Sequence, residues 1–411
     1  MSKKSIIVIV ITFTLLVLGI GVFFLLNQSP ISRPQFLSTL PFGKGDDSTT
    51  PGPVTPPNMQ SAVQAPGGEQ GNLPGLQKIS NGPVSGSILY MQGSTTLVRF
   101  MERATGNIFE FNSLTNTNKR ITNTTIPKGE RVLWGNGGQS LLLQFVKDGG
   151  IQNYFGSIAT TTASSTDELV NLIGNYIDEP IVSFAFSPNK NTTFALIRTG
   201  FGVDGYLANA KVQGLNKVWS SRTTEWIPQF ATNDTVYLTT GASEGISGYL
   251  YSLNIKTGAF IPILSDVKGL TTLVNSDGSA VLFSTSENGV VRLFAYFVKT
   301  KTTAIQPFTT LPEKCAWLST TQYTCGVPLR EMSGSFPDDW YMGNATFDDY
   351  IVTADIANQE IMEISNTEIK DASEAGIDVI NLQTNPDGTT LTFQNKKDLS
   401  QWVFPLSIVG Q

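Results

Sequence analysis

Histidine is absent from all 411 residues. That absence removes imidazole metal ligation and imidazole acid–base chemistry, and leaves carboxylates and tyrosines as the groups able to do chemistry. Charge is scarce as well: 15% of residues are charged, the net charge is −6 and the pI is about 4.9. With no basic run interleaved with aromatics, nucleic acid is not an expected partner. Helical periodicity is nearly missing beyond the first 78 residues, and 167–177 is the one stretch that would take a helix. Cysteine is limited to two positions, Cys315 and Cys325.

One long apolar run is present, beginning at Ile6 and ending at Leu26 without a charge. As a helix at about 1.5 Å per residue it is long enough to cross about 30 Å of hydrocarbon. Lys3 and Lys4 precede it, which predicts residues 1–5 in the cytoplasm and the remainder outside. A cleaved signal peptide is the rival reading, but its apolar core is shorter and ends at a small-x-small site, whereas this run ends Phe23-Phe24-Leu25-Leu26-Asn27-Gln28. An uncleaved single-pass anchor is the expectation, placing the head at the outer side of the cytoplasmic membrane. Residues 27–75 then alternate prolines such as Pro51, Pro53, Pro56 and Pro57 with glycines such as Gly67, Gly68 and Gly71. Neither helix nor sheet propagates through such a stretch, so it reads as a disordered stalk.

From 76 to 411 one phrase recurs, a polar Asn/Asp/Gly turn followed at once by an apolar, β-rich run. It stands at Pro188-Asn189-Lys190 before Phe194-Ala195-Leu196-Ile197, at Ser276-Asp277-Gly278 before Val281-Leu282-Phe283, and at Pro386-Asp387-Gly388 before Leu391-Thr392-Phe393. The turn centres near 93, 137, 189, 233, 277, 320 and 387 are mostly about 44 residues apart, the spacing of β-propeller blades. The predicted fold is all-β, a propeller of seven blades, or of six if the unit at Gly93 is only a closing piece. The C-terminus stops one strand short after Trp402-Val403-Phe404-Pro405-Leu406, so Gln77-Lys78-Ile79-Ser80 is expected to complete the last blade.

Four strings imitate three catalytic motifs. Gly241-Ala242-Ser243-Glu244-Gly245 spells a nucleophile elbow, but no histidine is available as base and no helix follows. Gly200-Phe201-Gly202-Val203-Asp204-Gly205 spells a dinucleotide fingerprint, yet Tyr206-Leu207-Ala208 continues as strand and offers no helix N-terminus. Ser187-Pro188-Asn189-Lys190 and Ser265-Asp266-Val267-Lys268 match Ser-x-x-Lys, and both read as turns between strands. No catalytic residue, metal site or cofactor is assigned.

Cys315 and Cys325 lie symmetrically about Thr320. On a hairpin turning there, Cys315 faces Cys325, and Trp317 faces Tyr323 on the same side. A disulfide is the expectation for an extracytoplasmic head. The largest departure from the repeat is the 67-residue interval between the turns at 320 and 387. Its extra length carries Asp338, Asp339, Trp340 and Tyr341, with Asp348 and Asp349 soon after. Aromatic rings beside carboxylates suit a sugar, a cation or a protein partner, so these six form the candidate binding set. Against that stands an ordered loop that packs Trp340 and Tyr341 onto the blade and leaves the aspartates solvated. A second insertion, 160–179, reads as a solvated loop.

The turn phrase, and the run Leu250-x-x-x-Asn254-x-x-Thr257-Gly258, resemble the WD40-like repeats of TolB-type propellers. More narrowly, Leu76-Gln77-Lys78-Ile79-Ser80-Asn81-Gly82-Pro83-Val84, Glu102-Arg103-Ala104-Thr105-Gly106-Asn107-Ile108, Lys314-Cys315-Ala316-Trp317, Pro337-Asp338-Asp339-Trp340-Tyr341 and Asn395-Lys396-Lys397-Asp398 resemble single-anchor propeller proteins of small-celled bacteria. The resemblance spans about 76–405; it implies the propeller and transfers no catalytic residue. Two functions then stand open. One is a non-catalytic binding or scaffold head for a cell-envelope protein or glycan. The other is a carboxylate-based glycan hydrolase, which requires two carboxylates about 5 to 10 Å apart in the funnel.

Overall fold

The computed structural model describes residues 75–159, 169–189, 191–358, 360–364, 373 and 375–406. The apolar run 6–26 and nearly all of the stalk lie outside them. Among the described residues no helix is long and apolar enough to cross a membrane.

The described residues form seven antiparallel four-stranded sheets, six of them built from chain-adjacent strands alone. Six span 84–120, 129–177, 181–221, 226–268, 271–305 and 315–363. The seventh takes three strands from 379–405 and its outermost from Gln77–Lys78, which pairs antiparallel with Trp402 and Val403. The first strands of neighbouring blades touch around a ring, except between blades 5 and 6, where the turn Pro312–Lys314 makes the contact. The protein is thus a seven-bladed β-propeller closed by its N-terminal strand, and the Gly93 unit is a full blade.

Each blade buries apolar faces against the next, giving seven clusters at the seven seams. Second strands are the most deeply placed: Leu141, Leu142 and Leu143, Phe194, Ala195 and Leu196, and Val281 and Leu282 are fully buried. A run apolar on both faces, rather than alternating, is what a strand covered by two neighbouring blades requires.

The repeated turn phrase has a local cause. Asn275 accepts from the N–H of Ala280 and donates to Ser279 Oγ and to the Thr320 carbonyl of the next blade. Asn385 accepts from the N–H groups of Thr389 and Thr390 and donates to Thr96 of blade 1. One carboxamide therefore shapes the turn and stitches a seam, while Gly278 and Gly388 supply the positive φ that the turn needs. The turn after the third strand has its own device: Asn112, Asn254 and Asp355 each accept two backbone N–H groups from the residues that follow.

Two glutamines act as pieces of strand across seams. Gln229 donates to the Thr272 carbonyl and accepts from the Val274 N–H; Gln383 donates to the Ser87 carbonyl and accepts from the Leu89 N–H.

The structure corrects two sequence readings. Within 167–177 no helix forms among the described residues: Leu172–Ile177 is the outer strand of blade 2, with Leu172 and Ile177 buried and Ile173 and Tyr176 exposed, so the 160–179 insertion includes an element of the blade. Ser265-Asp266-Val267-Lys268 lies within the strand Phe260–Lys268, not in a turn. Gly241–Gly245 and Gly200–Phe201 do fall in loops between strands.

Candidate functional site

The long interval falls between the second strand of blade 6, Gln322–Pro328, and its third, Asp349–Asp355. Its chain packs Met332, Phe336, Trp340 and Phe347 onto Val291 and Leu311, an apolar cluster separate from the seven seams. Burying each such side chain contributes about 1.5–3 kcal/mol toward the cost of ordering the loop. Polar clamps then pin it across two other blades. The Asp338 carboxylate accepts from the Glu244 N–H of blade 4 at 2.6 Å, and the Glu244 carboxylate accepts from the Gly289 N–H of blade 5 at 2.8 Å. A lone antiparallel bridge joins Ser333 to Val290. The short helix Asp338–Tyr341 begins in this clamp, and Asp339 accepts from the Ser335 N–H.

Beneath the loop lies a buried ionic cluster. Lys314, in the turn before the first strand of blade 6, is completely buried; its Nζ lies 2.6 Å from Asp349 Oδ2 and makes a close ion pair with Asp378 Oδ1. Asp378 accepts from Trp340 Nε1 through both oxygens and from the Phe347 N–H. Asp349 Oδ2 also accepts from the Val379 N–H, while Asp349 Oδ1 is buried without a partner. Gly326 makes room: a Cβ there would lie 2.6 Å from Val379 Cβ and 3.0 Å from Asp349 Oδ2. Lys314 Nζ lies 5.2 Å from the Trp340 ring centre and 5.1 Å from that of Phe347, so aromatic faces close the remaining sides. Burial pushes the Asp349 carboxyl up to about 6, against the opposing pull of Lys314, with the negative charge of Asp378 adding to the rise.

The six candidate residues therefore divide. Trp340 is 3% exposed and serves the cluster as ring and donor. Asp349 is buried against Lys314, which corrects the expectation of a solvated aspartate: its position opposite Pro328, at the start of the third strand, faces the seam with blade 7. Asp338 and Asp339 are occupied by backbone N–H groups, and Asp348 is paired with Lys397. Tyr341 is half-exposed, and its hydroxyl donates to Glu313. The four aspartates do not converge, and among the described residues no group of three or more acidic or cysteine side chains is arranged to hold a metal. Sequence reasoning missed Lys314, Asp378 and Glu313. For Lys314 a signal existed, since the strings 314–317, 337–341 and 395–398 meet here: Lys396 Nζ stands 5.2 Å from the Trp340 ring. Asp378 had none.

Next to the cluster, Cys315 and Cys325 form the expected disulfide, opposite one another in register, and Trp317 pairs with Tyr323. Among exposed polar residues such as Arg330, Glu331 and Asn344, several apolar side chains stay open to solvent: Ile246 of blade 4, Val290 of blade 5, and Leu329, Tyr341 and Met342 of blade 6 are each at least 45% exposed. A cleft of about 420 Å³ opens between blades 1 and 2, lined by Pro83, Arg103, Ala104, Lys128, Glu130 and Val146.

No protein-family model matches the chain, and no curated protein matches it in sequence. Solved structures do match. The oligogalacturonate lyase of Vibrio parahaemolyticus superposes with a TM-score of 0.54 at 9% identity, over 82% of this chain and 94% of that one. TolB from Acinetobacter baumannii matches with a TM-score of 0.39 at 11% identity over 80% of this chain and 64% of that one. The Cps50 β-propeller domain of Myceliophteria thermophila gives 0.47 at 9% identity over 80% and 98%. At these identities the likeness is one of fold.

Proposed function

We propose that this chain is a membrane-tethered, non-catalytic binding propeller, held outside the cytoplasmic membrane by residues 6–26 and contacting a cell-envelope protein or glycan. The observation that supports a binding head is the fate of the carboxylates around the long loop. Asp349 and Asp378 are sealed beneath Trp340 and Phe347, and Asp338, Asp339 and Asp348 are held by partners of their own. A glycan hydrolase needs one carboxyl able to reach the leaving oxygen and another facing the sugar ring, and a fully buried pair faces neither. The fold shared with oligogalacturonate lyase brings no residue role across. Tyr341 and Met342 are the exposed apolar side chains through which the same loop would meet a partner.

The test uses the full chain in detergent against purified envelope glycan, comparing it with the double variant Tyr341→Ala/Met342→Ala and assaying the same samples for new reducing ends. Saturable binding weakened about tenfold in the variant, with no new ends, is the expected result; a loss near 1.4 kcal/mol is in the range of an interface anchor. Steady release of reducing ends would overturn the non-catalytic reading. Release of the chain from membranes by alkaline carbonate would overturn the anchor.

A further inference from the structure

The cluster of Lys314, Asp349 and Asp378 goes beyond holding the loop in place. An amine that is completely buried lies 2.6 Å from one carboxyl and in close contact with a second, with aromatic rings closing the pocket against water. Water is both the solvent that normally keeps such groups apart as ions and the product whose escape drives an amide to completion. A dry pocket that holds an amine against an acid keeps the reacting atoms together and excludes the water that would hydrolyse an amide once formed.

The two carboxyls are placed for different parts. Asp378 directs both oxygens to donors, Trp340 Nε1 and the Phe347 N–H, and is fixed in position by them while it touches Nζ. Asp349 has one oxygen against Nζ and the Val379 N–H, and the other buried with no partner at all. The unpartnered oxygen is the one with nothing to hold it in the folded state. We infer that Lys314 and Asp349 join through an intramolecular isopeptide bond, with Asp378 as the proton relay.

The step balances without an external reagent. Asp378 takes a proton from the Lys314 ammonium, and the amine's lone pair attacks Cγ of the protonated Asp349 carboxyl. Asp378 returns its proton to the departing hydroxyl and receives the one shed by nitrogen, so that one Nζ–Cγ bond forms, one C–O bond breaks and one water leaves. Burial of Asp349 favours the protonated carboxyl that this step requires. The product ties the entrance of the first strand of blade 6 to its third, beside the disulfide that ties the first to the second. Two covalent links in one blade suit a head exposed outside the cell.

Peptide mapping decides it. Trypsin cuts the unlinked full chain after Lys301, Lys314, Arg330 and Lys370, giving free peptides 302–314, 315–330 and 331–370. In the reduced and alkylated wild-type chain we expect cleavage at Lys314 to be lost and peptide 302–330 to appear joined to 331–370, lighter than their sum by one water. Asp378→Asn, with circular dichroism to show that it folds, is expected to return the free peptides. Free 302–314 in the folded wild-type chain, after days at pH 6, would overturn the bond. Linkage to 371–396 would overturn the choice of Asp349, and a fully linked Asp378→Asn chain would overturn the relay.

Discussion

Glu313 carries the sharpest pH argument at the scale of single residues. Its carboxyl accepts from the Tyr341 hydroxyl through one oxygen, and the other is buried with no partner. Burial raises its pKa above the usual carboxylate value, with the bond from Tyr341 opposing. The folded state thus binds this proton more tightly than the unfolded chain does. The stability it contributes is complete below the ordinary carboxylate range and is lost as pH rises through the raised value. Glu313→Gln keeps an acceptor for Tyr341 and removes the ionisation, so Tm at pH 8 should rise by roughly 2 °C while Tm at pH 4.5 stays near wild type. A lower Tm at pH 8 would show that the ionised carboxylate is the stabilising form. Lys314→Met acts in the other direction: it takes away the amine that Asp349 and Asp378 face and leaves both carboxyls buried without it, and a loss of about 3–5 kcal/mol in denaturant unfolding is expected. A loss under 1 kcal/mol would show that water reaches the two carboxylates.

At the scale of elements, the hairpin of Cys315–Trp317 and Gln322–Pro328 was legible because its information is local. Cysteines symmetric about Thr320 fix the register, and the register fixes which side chains face each other. Opening the disulfide, which closes a loop of 10 residues, should cost about 2–3 kcal/mol and lower Tm by roughly 3–4 °C in reductant. An unchanged melt would mean that the apolar cluster around Tyr323 holds the hairpin alone. The turns between the first and second strands were legible for the same reason, since Asn275 and Asn385 find partners four and five residues on. The long loop was legible only as an anomaly of spacing. Its aromatics and acids looked like a site because they are close in sequence, yet their partners are Glu244, Glu313, Lys314 and Asp378, remote along the chain. Nothing in 331–349 announces a buried amine supplied from 314. The strand Leu172–Ile177 was missed for a related reason, because an outer strand buries little and shows weak alternation.

At the scale of the whole molecule, ring closure rests on a short strand that does several jobs. Gln77 and Lys78 pair with Val403 and Trp402; the Ile79 N–H donates to the Gln401 carbonyl, and Ser80 Oγ accepts from the Gln401 N–H. Asn118 of blade 1 donates to the Ile79 carbonyl, and Lys78 pairs with Asp398. Without this strand, Ser400–Pro405 becomes a sheet edge with unpaired backbone groups, a surface that pairs with other chains. The closing seam keeps other bonds, Gln383 to blade 1 and Gln394 Nε2 to the Val84 carbonyl, so the ring should slacken at one blade before it opens. Deleting residues 76–80 from the full chain is therefore expected to cut amide exchange protection in 391–405 at least tenfold while protection in 194–197 of blade 3 persists, and to shift the chain toward dimers as concentration rises. If protection fell equally in both segments, the seven blades would unfold as one unit, and the N-terminal strand would be holding the whole ring rather than its last blade.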